Sequence, residues 1–194
     1  MPTATMLKSS TYRRMPWKNG GGETVEIAVR PDAAALSEFD WRISMATVAT
    51  DGAFSIFPGI DRTLSILDGQ GMSLAIDGAA SAALTQESAP LPFAADVPVT
   101  AVLADGPITD LNVMTRRSVL KHHVERLHVD GHSIAEVDAQ IWLLLCHGGA
   151  VVLDWDGEKA ELNKGDTLLL EGAAGKVVTI DGKATCYLIA IHAL

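Results

Sequence analysis

Three cationic side chains, Lys18, Arg42 and Arg62, stand near the start of an acidic chain, and small-anion recognition is the chemistry they suit. The 194 residues carry a formal net charge of −9. Residues 1–62 hold seven Lys/Arg and seven Asp/Glu, whereas the remainder holds eight against 17. The three cations therefore lie in a locally neutral stretch. Arg62 follows the turn Phe54-Ser55-Ile56-Phe57-Pro58-Gly59-Ile60-Asp61 and opens a strand. Its guanidinium can fork to a carboxylate through two parallel hydrogen bonds, which a lysine cannot do. Neighbouring Asp61, or a surface acid, offers a purely structural alternative partner. Arg42 and Ser44 share one face of a strand, and Asn112 shares a face with Asp110 and Met114, opposite Leu111 and Val113. An inward Asn would orient a ligand or satisfy backbone groups. Trp17 and Trp41 read as core aromatics or as ligand platforms.

Other chemistries lack their residues. Two imidazoles sharing a metal on a strand need positions i and i+2, and no His-x-His occurs. No histidine precedes His122; His122 and His123 are adjacent and face opposite ways; His128 and His132 flank Asp130-Gly131; His147 and His192 stand alone. Neither a metal nor a cofactor is expected. There is no Gly-x-Ser-x-Gly elbow, and Gly20-Gly21-Gly22 is followed by neither a phosphate-loop lysine nor a dinucleotide fingerprint. Glu23 and Glu26, three apart on a strand, point to opposite faces, so they do not form a catalytic pair. Cys146 and Cys186 each sit in an apolar run and read as buried thiols of a reducing compartment. The negative charge argues against nucleic acid, whose phosphates demand a basic footprint. No apolar run approaches the roughly 18 residues that span a bilayer, and Met1–Ser10 lacks an export signal, so a cytoplasmic protein without membrane contact is expected.

The elements positioning these residues are strands. Thr24–Val29 and Trp41–Thr47 alternate apolar and polar positions. Further short runs lie at Thr63–Leu67, Met72–Ile76, Val97–Leu103, Leu111–Met114, His123–Leu127, Gln140–Cys146, Ala150–Trp155, Thr167–Leu170, Val177–Ile180 and Thr185–Ile191. Turns are expected at Asp68-Gly69, Asp77-Gly78, Asp156-Gly157 and Asp181-Gly182. Short helices are expected near Asp32–Glu38 and Ala80–Gln86. Many short strands joined by tight turns predict an all-β sandwich or barrel. There is also an internal echo: Leu67-Asp68-Gly69 through Asp77-Gly78 aligns, 79 residues on, with Cys146-His147-Gly148 through Asp156-Gly157. On that alignment Gly69 and Gly148 should occupy equivalent turns.

Several blocks taken together carry a family resemblance. They are Met15-Pro16-Trp17-Lys18-Asn19-Gly20-Gly21-Gly22-Glu23-Thr24, Phe54 to Arg62, Trp41-Arg42-Ile43-Ser44, Arg62-Thr63-Leu64 running to Gly69, and Gly106 to Met114. The chain resembles the HutD/Ves family of small bacterial proteins associated with histidine utilisation, most closely over residues 12–115. The resemblance implies a bicupin, two cupin-type jelly-roll β-barrels in one chain, in agreement with the echo. The first barrel is placed at 1–118 and a second, degenerate one at 119–194. It implies that the Gly triplet is a turn packed against the first barrel. It further implies an accessory or regulatory role in histidine catabolism, with an anionic intermediate such as N-formylglutamate or urocanate as ligand. Arg62 would anchor its carboxylate, Arg42 and Lys18 would add positive contacts, Ser44 and Asn112 would orient the polar remainder, and Trp17 would border the site. The alternatives are a metal-independent isomerase or hydrolase using Glu23 or Asp110 as proton carrier, and an interaction module forming a homodimer.

Overall fold

The computed structural model describes residues 2–18 and 20–194. Met1, at the start of the segment read for an export signal, and Asn19, in the Trp-Lys-Asn-Gly block, lie outside the described residues. The first strands are β1 (Thr3–Leu7), β2 (Arg13–Pro16), β3 (Gly22–Arg30), β4 (Trp41–Val48), β5 (Gly52–Ala53) and β6 (Ile60–Asp68). Next come β7 (Met72–Ile76), β8 (Ala82–Leu84), β9 (Leu91–Ala94), β10 (Val99–Leu103) and β11 (Ile108–Arg116). The last five are β12 (Leu120–Glu136), β13 (Ile141–Trp155), β14 (Glu158–Leu162), β15 (Thr167–Glu171) and β16 (Val177–Ala193). A 3-10 turn at Ser9–Thr11 is the only helical element among the described residues.

Both expected helices are therefore corrected. Residues 32–38 form turns and bends: seven residues after Pro31 are too few to offset helix nucleation. Within 80–86, Ala82–Leu84 is β8, because pairing with β7 (Met72↔Leu84, Leu74↔Ala82) outweighs the helical preference of alanine.

The strands divide into two compact units, Arg13–Lys121 and Met1–Tyr12 with His122–Leu194. The expected division at 118/119 put the first twelve residues in the wrong unit. They go with the C-terminal one because β1 pairs with β15, Thr3↔Glu171 to Leu7↔Thr167. Lys8 and the Ser9 amide also hold the Asp166 carboxylate, at 2.8 and 2.9 Å.

The unit Arg13–Lys121 is a sandwich. A six-stranded sheet, β2-β3-β4-β11-β6-β9, faces a four-stranded one, β5-β10-β7-β8. Between them lies a core of Ala46, Val48, Leu64, Ile66, Met72, Leu74, Leu84, Val99, Ala101 and Ile108. Each sheet gives every second residue to this layer, as the pleat requires.

The other unit has one sheet, β1-β15-β13-β16-β12, with β14 beside β13. Its strands β12, β13 and β16 are 15–17 residues long, where shorter pieces had been expected. Asp130-Gly131 and Asp181-Gly182 do not turn; they run on inside β12 and β16. Gly148 likewise lies within β13, at a bulge between Cys146 and Gly148, whereas Gly69 sits in a turn at φ +94°. The expected equivalence of these two glycines as turns is thus corrected. Asp77-Gly78 and Asp156-Gly157 do match: all four residues have positive φ, as in two-residue hairpins. Trp142, Leu144, Leu153, Leu162, Leu168, Leu170 and Ile180 fill the core of this unit. No sheet closes on itself among the described residues, and the architecture is all-β.

Candidate functional site

The inner face of the six-stranded sheet changes character along its strands. At one end Ala46, Val48, Leu64 and Ile66 pack on the four-stranded sheet. At the other end the same face carries Arg42 and Ser44 from β4, Arg62 from β6, and Asp110, Asn112 and Met114 from β11. Register makes them neighbours: Asn112 pairs with Ser44, Met114 with both Arg42 and Arg62, and Asp110 with Ala46. These residues line one open cavity of about 710 Å³. Its rim includes Trp17, Lys18, Leu36, Asp51, Phe54 and Phe57.

All six residues singled out as ligand contacts from sequence, Arg62, Arg42, Ser44, Lys18, Asn112 and Trp17, border this cavity. Arg42, Ser44, Arg62 and Asn112 are buried in its floor, and Lys18 is exposed at the mouth. Trp17 is half-buried; its indole Nε1 donates to Thr24 Oγ1 at 2.8 Å. A Cβ on Gly22 would stand 2.0 Å from the Thr47 carbonyl oxygen and 3.0 Å from the Trp17 ring. Only a bare backbone lets β3 and the indole approach so closely. Trp41, the other aromatic considered, is buried with the Arg30 guanidinium 5.5 Å over its ring, and it does not line the cavity.

The floor is a polar network. Arg62 donates from Nε to Asn112 Oδ1 at 2.7 Å and from Nη2 to the same oxygen. Asn112 Nδ2 donates to Asp110 Oδ1 at 2.6 Å. Arg42 Nε donates to Glu26 Oε2 at 2.7 Å in a pair whose side chains are 6% and 12% exposed. The Arg62 guanidinium lies 4.6 Å above the Phe54 ring, close enough for cation–π attraction. Asp110 Oδ2 is buried without a hydrogen-bond partner.

Burial pulls the Arg62 pKa down to about 10, with Asp110 opposing and Arg42 reinforcing the fall. Burial pushes the Asp110 carboxyl up from 3.8 to about 6, against Arg62, the Asn112 amide and the Ala46 backbone. Near neutral pH a carboxyl on the edge of protonation therefore shares the floor with two guanidinium ions.

Glu26, Phe54 and Asp110 are the components that sequence reasoning undervalued. Strand alternation put Glu26 opposite Glu23; the β3–β4 register pairs Glu26 with Ser44 and so sets it diagonally beside Arg42 on the same face. Glu23 pairs outward with Arg14 at 2.8 Å and is not a cavity residue. Among the described residues no three His, Cys, Asp or Glu side chains gather as a metal-ligand set.

The sequence pattern of the HutD family matches residues 9–188. A Pseudomonas putida protein described as an uncharacterized 21.2 kDa protein in the hutC 3′ region is 34% identical over 173 residues, 89% of each chain. Among solved structures, a conserved protein of unknown function from Pseudomonas aeruginosa PAO1 has a TM-score of 0.92 at 32% identity, covering 98% of this chain and 99% of that one. HutD from Pseudomonas fluorescens SBW25 has a TM-score of 0.81 at 31% identity, covering 99% and 100%. More distant structures, including one at 13% and one at 7% identity, share the cupin-like all-β fold alone. Sequence pattern, whole-length relatives and close structural likeness agree, and the chain belongs to the HutD family.

Proposed function

We propose that this protein binds a small carboxylate in the cavity of the Arg13–Lys121 unit and is built as two cupin-type jelly-roll halves. Its role is accessory or regulatory in histidine catabolism rather than catalytic. The ligand is an anionic intermediate of that route, with N-formylglutamate and urocanate as the first two to test. The carrying observation is the presence of two buried arginines in one open cavity. Arg42 is held through Nε by Glu26, and Arg62 through Nε and Nη2 by Asn112. Each guanidinium is thereby oriented before a ligand arrives, which lowers the ordering cost of binding. Lys18 adds charge at the mouth, Ser44 and Asn112 orient the ligand's polar groups, and Trp17 forms part of the wall.

A metal-independent isomerase or hydrolase is the second reading. One observation favours it: a cavity carboxyl with its pKa raised to about 6 suits general acid–base work. Turnover of either compound by purified protein would support this second reading against simple binding.

Calorimetry and thermal shift with N-formylglutamate and urocanate test the proposal. A ligand at 100 times its Kd stabilises by about 2.7 kcal/mol. Arg62→Lys should weaken binding about 10- to 150-fold, because an ammonium cannot hold Asn112 and fork to a carboxylate together. Absence of any carboxylate-dependent shift, or equal affinity in Arg62→Lys, rejects the site.

A further inference from the structure

The floor of the cavity contains a group that simple anion binding does not explain. Asp110 is buried among the very arginines that would attract an anion, and its Oδ2 has no partner. Its other oxygen is joined to Arg62 through Asn112 by hydrogen bonds of 2.6 and 2.7 Å. An anion seated on Arg62 would lie one side chain away from this carboxylate. A buried carboxylate and a second one seated beside it cannot both stay ionised cheaply; one takes a proton.

We propose that the cavity takes up its carboxylate together with one proton, which comes from solvent and rests on the Asp110 carboxyl, so that the anion held by Arg62 does not face a second buried negative charge. The ligand class is thus a carboxylate bound, in net terms, as the acid. This inference rests on the carboxylate-binding reading above.

The surroundings of Asp110 favour this assignment. Arg62 on β6 and Arg42 on β4 are the cations of the floor, and Glu26 on β3 is already engaged by Arg42. Lys18 and Asp51 border the mouth, Asp51 accepting from the Leu103 amide at 2.8 Å. The unit Arg13–Lys121 contains no histidine, so no imidazole there titrates between pH 6 and 8. Asp110 already has its pKa raised to about 6 without a ligand, so only a modest further rise makes it an acid at neutral pH.

Calorimetric titration of the full chain with N-formylglutamate and with glutarate, at pH 6.5 and 8.5, tests the coupling in buffers of different ionisation enthalpy. Proton uptake approaching one per ligand is expected near pH 7, with affinity on the order of tenfold tighter at pH 6.5 than at 8.5. Asp110→Asn mimics the protonated form. It should bind without proton uptake, and its affinity should change less than about twofold across that range. Binding by wild type with no proton uptake and no pH dependence overturns the coupling while leaving the carboxylate site standing. No heat and no melting shift with either compound at either pH overturns both. If Asp110→Asn does not fold, the wild-type proton count decides alone.

Discussion

Replacing Arg62 with methionine should destabilise the Arg13–Lys121 unit by an amount that depends on pH. The substitution removes two N–H donors from Asn112 Oδ1 and the cation over Phe54. Charge-assisted hydrogen bonds contribute about 1.5–3 kcal/mol and the cation–π contact about 1 kcal/mol. The methionine fills part of the space, and a guanidinium no longer has to be desolvated, which offsets some of this loss. A deficit of about 1–2 kcal/mol is expected at pH 5, where Asp110 is protonated. Above that pH a second effect adds. Folded Asp110 holds its proton more tightly than the unfolded residue, about 6 against 3.8. Wild-type stability therefore falls as pH rises across that interval and is level above it. Without Arg62, which opposes the rise, the folded pKa climbs further, and the variant keeps losing stability at about 1.4 kcal/mol per pH unit until the new pKa is passed. The deficit should therefore exceed its pH 5 value by at least about 1 kcal/mol at pH 8. Urea unfolding of both proteins at the two pH values measures it. Equal deficits at pH 5 and 8 would show that Arg62 and Asp110 are not electrostatically coupled.

Gly22→Ala should lower the melting temperature of the same unit, because its Cβ would overlap the Thr47 carbonyl oxygen at 2.0 Å. Overpacking of this kind costs about 1–3 kcal/mol, and differential scanning calorimetry would read several degrees. In the other unit Cys146 and Cys186 are fully buried and directly paired across β13 and β16. The hydrogen bond with Cys146, together with burial, pushes the Cys186 thiol up. A thiol-specific reagent should find neither cysteine in native protein and both after urea unfolding; rapid native labelling would contradict the packing.

Much of the cavity could be read from alternation alone. Once β4 and β11 were recognised, parity put Arg42 with Ser44 and Asn112 with Asp110. The turn before Arg62 set that residue at a strand entrance. What alternation does not contain is register. That Asn112 lies between Arg62 and Asp110 follows from the β11–β6 ladder, which pairs Arg62 with Met114 and Leu64 with Asn112 and so joins side chains 50 residues apart in sequence. The β3–β4 register that sets Glu26 beside Arg42 has no local sequence signal either. Lengths failed for a similar reason. Asp-Gly pairs end a strand where the chain reverses, as at Asp77-Gly78. They run on where a neighbouring strand pairs across them, as at Gly182 opposite Val151. The helix misreadings reflect alanine propensity, a local preference that cross-strand pairing overrode in β8.

The placement of the first twelve residues has a consequence for how the chain comes to be folded. The Arg13–Lys121 unit is continuous in sequence and can close while the ribosome is still making the rest. The unit completed by β1 is not. Thr3 must wait for Glu171, and Lys8 for Asp166, 158 residues later. During synthesis the β1 segment therefore has no partner strand, and unpaired segments of that kind invite wrong pairing. Once residue 171 has emerged, the intervening folded unit shortens the effective loop and makes closure less costly in entropy than a 160-residue flexible chain would be. The Tyr12 hydroxyl, donating to the Gly165 carbonyl at 2.8 Å, fastens the seam at its end. Substitutions between Thr3 and Tyr12 are thus lesions of the last part of the protein to be made.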